Sequence, residues 1–348
     1  MSKVKRILVT GGAGFIGSHT VAELAAAGYE PVIVDNLYNS YPFVIDRLKD
    51  LTGQSIPFYQ ADCADYKAMR RIFEMEDLDG VIHFAAFKAV GESVNIPVRY
   101  YHNNLSALLT LLQHMEMYGV KNLVFSSSCT VYGEPDHLPV DESTPTTRPS
   151  SPYGNTKRVC EEIIEDTCNA NKGLNGISLR YFNPIGAHPS SKIGELPIGK
   201  PNNLVPFITQ TASGLRDELT VFGNDYDTHD GSCLRDYIHV VDLAKAHLKA
   251  LEYVNTKDEN FFDVFNVGCG KGNTVLDVIN TFEKVSGQKV NYKFGDRRPG
   301  DVSKIYASVE KIKKELNWEC EFSLDDALIH AWKWQEQLKQ EKLFSDVG

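Results

Sequence analysis

The chain has 348 residues, 42% of them apolar, and a formal net charge of −10 with a pI near 5.5. That acidity excludes a phosphate-coating nucleic-acid surface, so an anionic ligand has to be met by locally placed Arg and Lys. No run approaches the roughly 18 apolar residues of a membrane span, and Met1-Ser2-Lys3-Val4-Lys5-Arg6 leads into a strand-like run with no apolar signal region. A cytoplasmic protein with no membrane or nucleic-acid partner is expected. The seven cysteines (63, 129, 160, 168, 233, 269 and 320) form no Cys-x-x-Cys pair. They read as free thiols of a reducing compartment, and no metal site is expected.

Along the first half, short β-branched runs at 6–10, 31–35, 56–60, 80–84, 122–127 and 176–180 alternate with helical patterns at 15–27, 65–76, 97–118 and 152–171. This alternation predicts right-handed crossovers and a doubly wound parallel α/β sheet, the Rossmann arrangement, whose ligands bind beyond the carboxyl ends of the strands. Residues 183–203, rich in Pro, Gly, Ser and Asn, predict a long loop. Helices at 204–215, 242–254, 275–286 and 324–340, the last capped by Ser323, alternate with strands near 220–222, 236–240 and 264–267. Two lobes sharing a cleft are expected: a dinucleotide-binding domain over 1–180 and a smaller α/β substrate lobe over 181–348.

Gly11-Gly12-Ala13-Gly14-Phe15-Ile16-Gly17 follows the first strand and opens the first helix. Glycines at 11, 14 and 17 suit a tight turn, close approach of backbone to a pyrophosphate, and tight helix–sheet packing, with the helix N-terminus facing the phosphates. Asp35 ends the second strand 18 residues past Gly17. A carboxylate there accepts from the ribose 2′-OH and repels a 2′-phosphate, which favours NAD over NADP. Asp62 ends the third strand, where it meets the adenine or caps a helix.

Tyr153 and Lys157 lie four apart on the helix begun by Ser150-Ser151-Pro152, hence on one face. A phenol is a poor base at neutral pH unless a nearby cation favours its phenolate. Ser128, just after the fifth strand, is placed to hydrogen-bond a reacting hydroxyl.

The glycine spacing and the Ser128, Tyr153, Lys157 set resemble the extended short-chain dehydrogenase/reductases. Ser126-Ser127-Ser128-Cys129-Thr130-Val131-Tyr132-Gly133, Ser151-Pro152-Tyr153-Gly154, Arg180-Tyr181-Phe182-Asn183-Pro184-Ile185-Gly186, Arg235-Asp236-Tyr237-Ile238-His239-Val240 and Arg297-Arg298-Pro299-Gly300-Asp301 are similar to runs of the UDP-hexose 4-epimerases of that branch. The resemblance spans nearly the whole chain. It implies that Tyr153 takes the proton of the sugar 4-hydroxyl with Ser128 in the relay, while hydride leaves C4 and returns to the other face of a 4-keto sugar. Lys157 would hold the nicotinamide ribose. Phe15, Ile16, Asn36, Phe84, Lys88, Asn103 and Tyr181 would complete the NAD site, Lys88 also meeting the substrate. For the UDP-sugar, the resemblance assigns Arg235 and Arg298 to the phosphates and Asp301 to the uridine ribose. Asn183, Asn203, Leu204 and Phe222 would line the sugar–uracil path, and Ile305 would wall the sugar pocket. It also implies a homodimer joined through the 97–118 helix. Cys129 and Thr130 stand where the related dehydratases and decarboxylases need acidic groups, which weighs against a lyase. A silent NAD-sensing protein would have no use for a matched base and cation.

Overall fold

Buried strands and helices alternate as the sequence pattern requires. The computed structural model describes residues 5–170, 173–258, 260–298 and 302–343. In chain order come β1 (Arg6–Thr10), α1 (Phe15–Ala26), β2 (Glu30–Asp35), α2 (Phe43–Thr52), β3 (Phe58–Gln60), α3 (Tyr66–Met75) and β4 (Gly80–His83). Then follow α4 (Val90–Asn95), α5 (Pro97–Tyr118), β5 (Asn122–Ser126), a 3-10 turn (Cys129–Tyr132), α6 (Pro152–Asn169) and β6 (Asn175–Tyr181). The second half holds β7 (Asn183–Ile185), α7 (Leu204–Ala212), β8 (Leu219–Phe222), β9 (Leu234–His239), α8 (Val240–Val254) and β10 (Phe262–Val267). It ends with β11 (Gly272–Thr274), α9 (Val275–Ser286), β12 (Tyr292–Gly295), β13 (Lys304–Ile305), α10 (Glu310–Leu316) and α11 (Leu324–Gln340).

Seven strands form one parallel sheet in the order β10-β6-β5-β4-β1-β2-β3, the doubly wound arrangement expected. Helices cover both faces, so the strands are apolar on both sides. In β1, Ile7 and Val9 pack into one layer and Leu8 into the other. The strand order reverses between β1 and β4, and a ligand crevice opens beyond the strand ends at such a switch point.

The chain crosses the expected boundary at residue 180 twice. β10 pairs with β6 from Phe262↔Gly176 to Val267↔Tyr181, and α8 packs against α1. Residues 240–267 therefore return to the N-terminal sheet, where β10 covers β6 and buries Phe265 and Val267 completely. A parallel edge left open there would expose its backbone groups. The remaining lobe has a sheet in the order β11-β9-β13 with β7 beside β9, and a separate β12-β8 pair. Its core sets α7, α9 and α11 together through Ile208, Phe282, Leu328 and Trp332. A capping box from Ser323 starts α11 as expected.

Three helices escape the sequence pattern, α2, α4 and α10. The first two bury only Leu48 and Ser93 respectively and the seven-residue α10 only Ile312 and Leu316, so none carries an apolar stripe long enough to read.

Candidate active site

A cleft of about 570 Å³ opens at the switch point, floored by residues that follow β1 to β6. Gly11, Gly14, Phe15, Ile16, Gly17, Asp35, Asn36, Asp62, Phe84, Lys88, Asn103, Tyr153, Lys157 and Tyr181 all line it. The sequence pattern thus brings every expected cofactor residue to one cavity.

The glycine turn is a steric necessity. Gly11 has φ +70°, and a Cβ on it would sit 2.9 Å from the Ala85 nitrogen; a Cβ on Gly17 would sit 2.2 Å from the Gly11 carbonyl oxygen. Gly14 begins α1 without a side-chain cap, so the first turn presents backbone rather than a side chain to the cleft. This is a cradle that a β-carbon would fill, and it suits a diphosphate at a helix N-terminus. Asp35 is 7% exposed and accepts from Ala13 N, Leu37 N and Ser40 Oγ at 3.1, 2.8 and 2.9 Å. A carboxylate offers about four lone-pair directions, which leaves room for a ribose hydroxyl. The helix-cap reading of Asp62 falls away: Asp65 caps α3, while Asp62 accepts from Ala64 N and from Asn36 Nδ2 within the cleft wall. Asn103 donates to Asn104 Oδ1, and the same oxygen accepts from Phe87 N, which pins the lining segment after β4 to α5.

Ser151 caps α6 by accepting from Gly154 N, and Pro152 sets the first helical turn, so Tyr153 and Lys157 emerge one turn apart. Both are nearly buried, at 5% and 3% exposure. Ser128 stands beside the Tyr153 phenol, near enough to lower its pKa, and accepts from Thr130 N and Oγ1 at 3.2 and 3.0 Å. Burial pushes Tyr153 well above the usual phenol value; the neighbouring Tyr181 adds to the rise and Ser128 opposes it. Lys157 donates to the Ser126 carbonyl at 2.7 Å and lies 4.8 Å from the Phe125 ring centre. Burial brings its ammonium down to about 8. Burial is the largest influence on the phenol, and the Lys157 ammonium is turned to the Ser126 carbonyl.

The expected substrate residues are spread more widely. Asn203 lines the cleft. Leu204 follows it at the start of α7. Asn183 opens β7 opposite Tyr237 of β9. Arg235 lies on β9 in register with Ile305 of β13 and close enough to Cys129 to act on its thiol. Arg298 sits over the half-exposed Phe222 ring, 4.4 Å from its centre. Ile305 is 5% exposed and packs with Cys129 and Phe182, so it backs the turn that carries Ser128 and does not line the large cleft. Asp301 lies outside the described residues.

Sequence reasoning missed the strap over residues 194–203. Glu195 accepts from Lys88 Nζ at 3.3 Å and from Asn203 Nδ2 at 2.6 Å, tying two expected site residues together. Trp334 donates from Nε1 to the Glu195 carbonyl, and a Cβ on Gly194 would fall 2.6 Å from the Trp334 ring. A Pro- and Gly-rich loop has no periodicity, and nothing local marks its one carboxylate as part of the site. Outside the cleft, His229, Asp230 and Asp277 meet at the start of α9. Their oxygens already hold that start through Ser232 and Thr274.

A glycine turn at the switch point, a carboxylate ending β2 and a Ser-Tyr-Lys set beside them define a dinucleotide-dependent enzyme of the α/β class. The profile of the "NAD dependent epimerase/dehydratase family" matches residues 7–268, and the chain belongs to that family. More particularly, it is 51% identical over 329 residues to the UDP-glucose 4-epimerase of Bacillus subtilis (strain 168), covering 94% of this chain and 96% of that protein. It is 49% identical over 339 residues to the UDP-glucose 4-epimerase of Homo sapiens, covering 96% and 97%. The crystal structure of UDP-glucose 4-epimerase from Bifidobacterium longum in complex with NAD+ and UDP superposes with a TM-score of 0.93 at 45% identity, covering 96% of this chain and 98% of that one.

Proposed function

We propose that the chain interconverts UDP-galactose and UDP-glucose by epimerisation at C4 through a 4-keto sugar, with NAD as its resident cofactor. The observation that carries this reading is the buried Tyr153 beside Ser128, one helical turn from Lys157, in the cleft floored by the Gly11–Gly17 turn. Bound NAD supplies a hydride acceptor and, when oxidised, a positive charge. The glycine turn and the start of α1 hold its diphosphate, Asp35 accepts from the adenosine ribose, and Phe84, Asn103 and Tyr181 line its path. Lys157 orients the nicotinamide ribose while anchored on Ser126.

Tyr153 removes the proton of the sugar 4-hydroxyl, and Ser128 holds that oxygen and the phenol in line. Burial alone opposes formation of the phenolate, so positive charge in the cleft is what makes Tyr153 a base. Returning the proton from the same phenol completes the cycle with no net oxidation. Arg235 and Arg298 clamp the substrate diphosphate by charge-assisted bonds, Phe222 and Asn203 meet the uridine and sugar, and Lys88 spans both ligands. A lyase reading is disfavoured by the turn after Ser128. Burial pushes the Cys129 thiol up to about 12, and the Thr130 hydroxyl donates to Ser128, so neither supplies an acid–base pair.

The assembly is a homodimer through α5. Val98 and Leu109, eleven residues or about three helical turns apart, are 79% and 46% exposed on that helix. The compartment is the cytoplasm, consistent with seven free cysteines. Among the described residues no helix is long and apolar enough to cross a membrane.

Purified protein given UDP-galactose and no added NAD tests the reading. UDP-glucose formation is expected, because hydride that must return to the same sugar keeps the cofactor in place. Turnover that depends on added NAD and accumulates NADH would refute it.

A further inference from the structure

Behind the reacting groups lies an ion pair that the mechanism above does not use. Tyr153, Lys157 and Glu161 follow one another at four-residue intervals on α6, so they share one face. Glu161 is 5% exposed and Arg180 is 6% exposed. Arg180 donates from Nε to Glu161 Oε1 at 3.0 Å and from Nη2 to Oε2 at 2.7 Å, a two-pronged contact. The Ser127 hydroxyl donates to the same Oε1, and Ser127 N donates to the Leu179 carbonyl at 2.9 Å. Arg180 also donates to the Tyr132 phenol at 3.1 Å, which donates in turn to Asn266 Oδ1 of β10 at 2.7 Å.

A buried ion pair is a poor source of net stability, because desolvation offsets most of its attraction. What it offers is geometry. Ser127 immediately precedes Ser128, and Arg180 immediately precedes Tyr181. Resting on the epimerase reading, we propose that Glu161 is a positioning residue for the reaction: by gripping Ser127 and Arg180 it fixes the strand ends that carry Ser128 and Tyr181 against the helix that carries Tyr153 and Lys157.

Glu161 also supplies charge. Around Lys157 stand the Ser126 carbonyl and Phe125 ring of β5, Cys160 and Glu161 of α6, His83 of β4 and His247 of α8, with Arg180 of β6 behind Glu161. Burial brings His83 down to about 3 and His247 down to about 4, so both are neutral at working pH. Cys160 is pushed up to about 12 and stays a thiol. Glu161 is therefore the carboxylate in this set that favours the Lys157 ammonium, against the burial that lowers it.

The test compares Glu161→Gln, Glu161→Asp and Ser127→Ala with the parent holoenzyme. It reads kcat and KM for UDP-galactose, and follows the Lys157 13Cε chemical shift against pH, which needs no substrate. In Glu161→Gln, kcat should fall by roughly ten- to a hundredfold, the scale of a small misplacement of reacting groups, while KM stays within about twofold. Its Lys157 midpoint should drop below the parent's, because the carboxylate that favours the ammonium is gone. Glu161→Asp keeps the charge on a shorter arm, so its midpoint should stay near the parent's while kcat still falls. Ser127→Ala removes one hydroxyl and should lower kcat several-fold without moving the midpoint; it carries the test if the Gln variant does not fold. A Gln variant with the parent kcat overturns the proposal, as does one with an unmoved Lys157 midpoint, or an Ala variant with the parent kcat. A parent that fails to convert UDP-galactose refutes the epimerase reading instead, a result the NMR midpoints cannot mimic.

Discussion

Around α1 the cleft is made of backbone, whereas the expected substrate residues of the β9–β13 region, which stand outside the cleft lining, are side chains brought from far apart in the chain. Gly11 and Gly17 exclude a β-carbon by contacts of 2.9 and 2.2 Å, and the helix start does the rest. Arg235 and Ile305, by contrast, meet across a strand pair 70 residues apart in sequence, and Arg298 finds Phe222 across a comparable gap. A backbone-built site tolerates almost no change at its few fixed positions. A side-chain-built site is free to vary in what it holds. In the proposed function, cofactor identity belongs to the first region and sugar choice to the second, with Tyr153 between them.

The largest effect should therefore come from the residue both halves share. Tyr153→Phe removes only the ionisable hydroxyl, and turnover should fall roughly a hundredfold or more with NAD still bound. Rate and bound NAD measured on one preparation check this; near-native turnover would remove Tyr153 from the role of base.

A pair of substitutions should separate the two regions. Arg235→Ala deletes a charge-assisted contact of about 1.5–3 kcal/mol, so KM for UDP-galactose should rise at least about tenfold while NAD retention is unchanged. Asp35→Asn removes the charge and keeps one oxygen, which still accepts from Leu37 N and Ser40 Oγ, while the amide nitrogen takes the place of the oxygen that accepts from Ala13 N. It should relax the preference for NAD over NADP by roughly tenfold, the equivalent of about 1.4 kcal/mol, with KM for the sugar unmoved. If each substitution altered both affinities alike, the division between regions would be wrong.

The smallest effect is expected at Ile305. Packed with Cys129 and Phe182, it backs the Ser128 turn, so added bulk there has to displace that turn toward the sugar. UDP-N-acetylgalactosamine should be turned over more slowly than UDP-galactose, and Ile305→Tyr should abolish the slower activity while sparing the faster. Equal loss of both in parallel assays would count against Ile305 as a specificity wall.

The same contrast explains what the sequence made legible. The glycine turn, Asp35, Ser128, Tyr153 and Lys157 were readable because steric and helical constraints fix their spacing within short stretches of chain. Asn36, Asn103, Lys88 and Tyr181 came to the cleft by resemblance, which carried the pattern where spacing alone said little. Glu195 and Trp334 were invisible, since the strap they form closes through contacts 139 residues apart. The return of α8 and β10 to the first sheet was hidden for a similar reason. An edge strand is completed by whatever later segment fits it, and a 262–267 run looks the same in either lobe. The burial that raises the Tyr153 phenol was not legible either, since burial has no signature in a four-residue spacing.

The central claim is that hydride leaves C4 and returns to the same carbon while one phenol handles the proton. UDP-galactose carrying deuterium at C4, converted by the purified protein in ordinary water, tests it most directly by mass and NMR analysis of the product. The account predicts UDP-glucose with the deuterium retained at C4. Product in which C4 carries solvent hydrogen would contradict it.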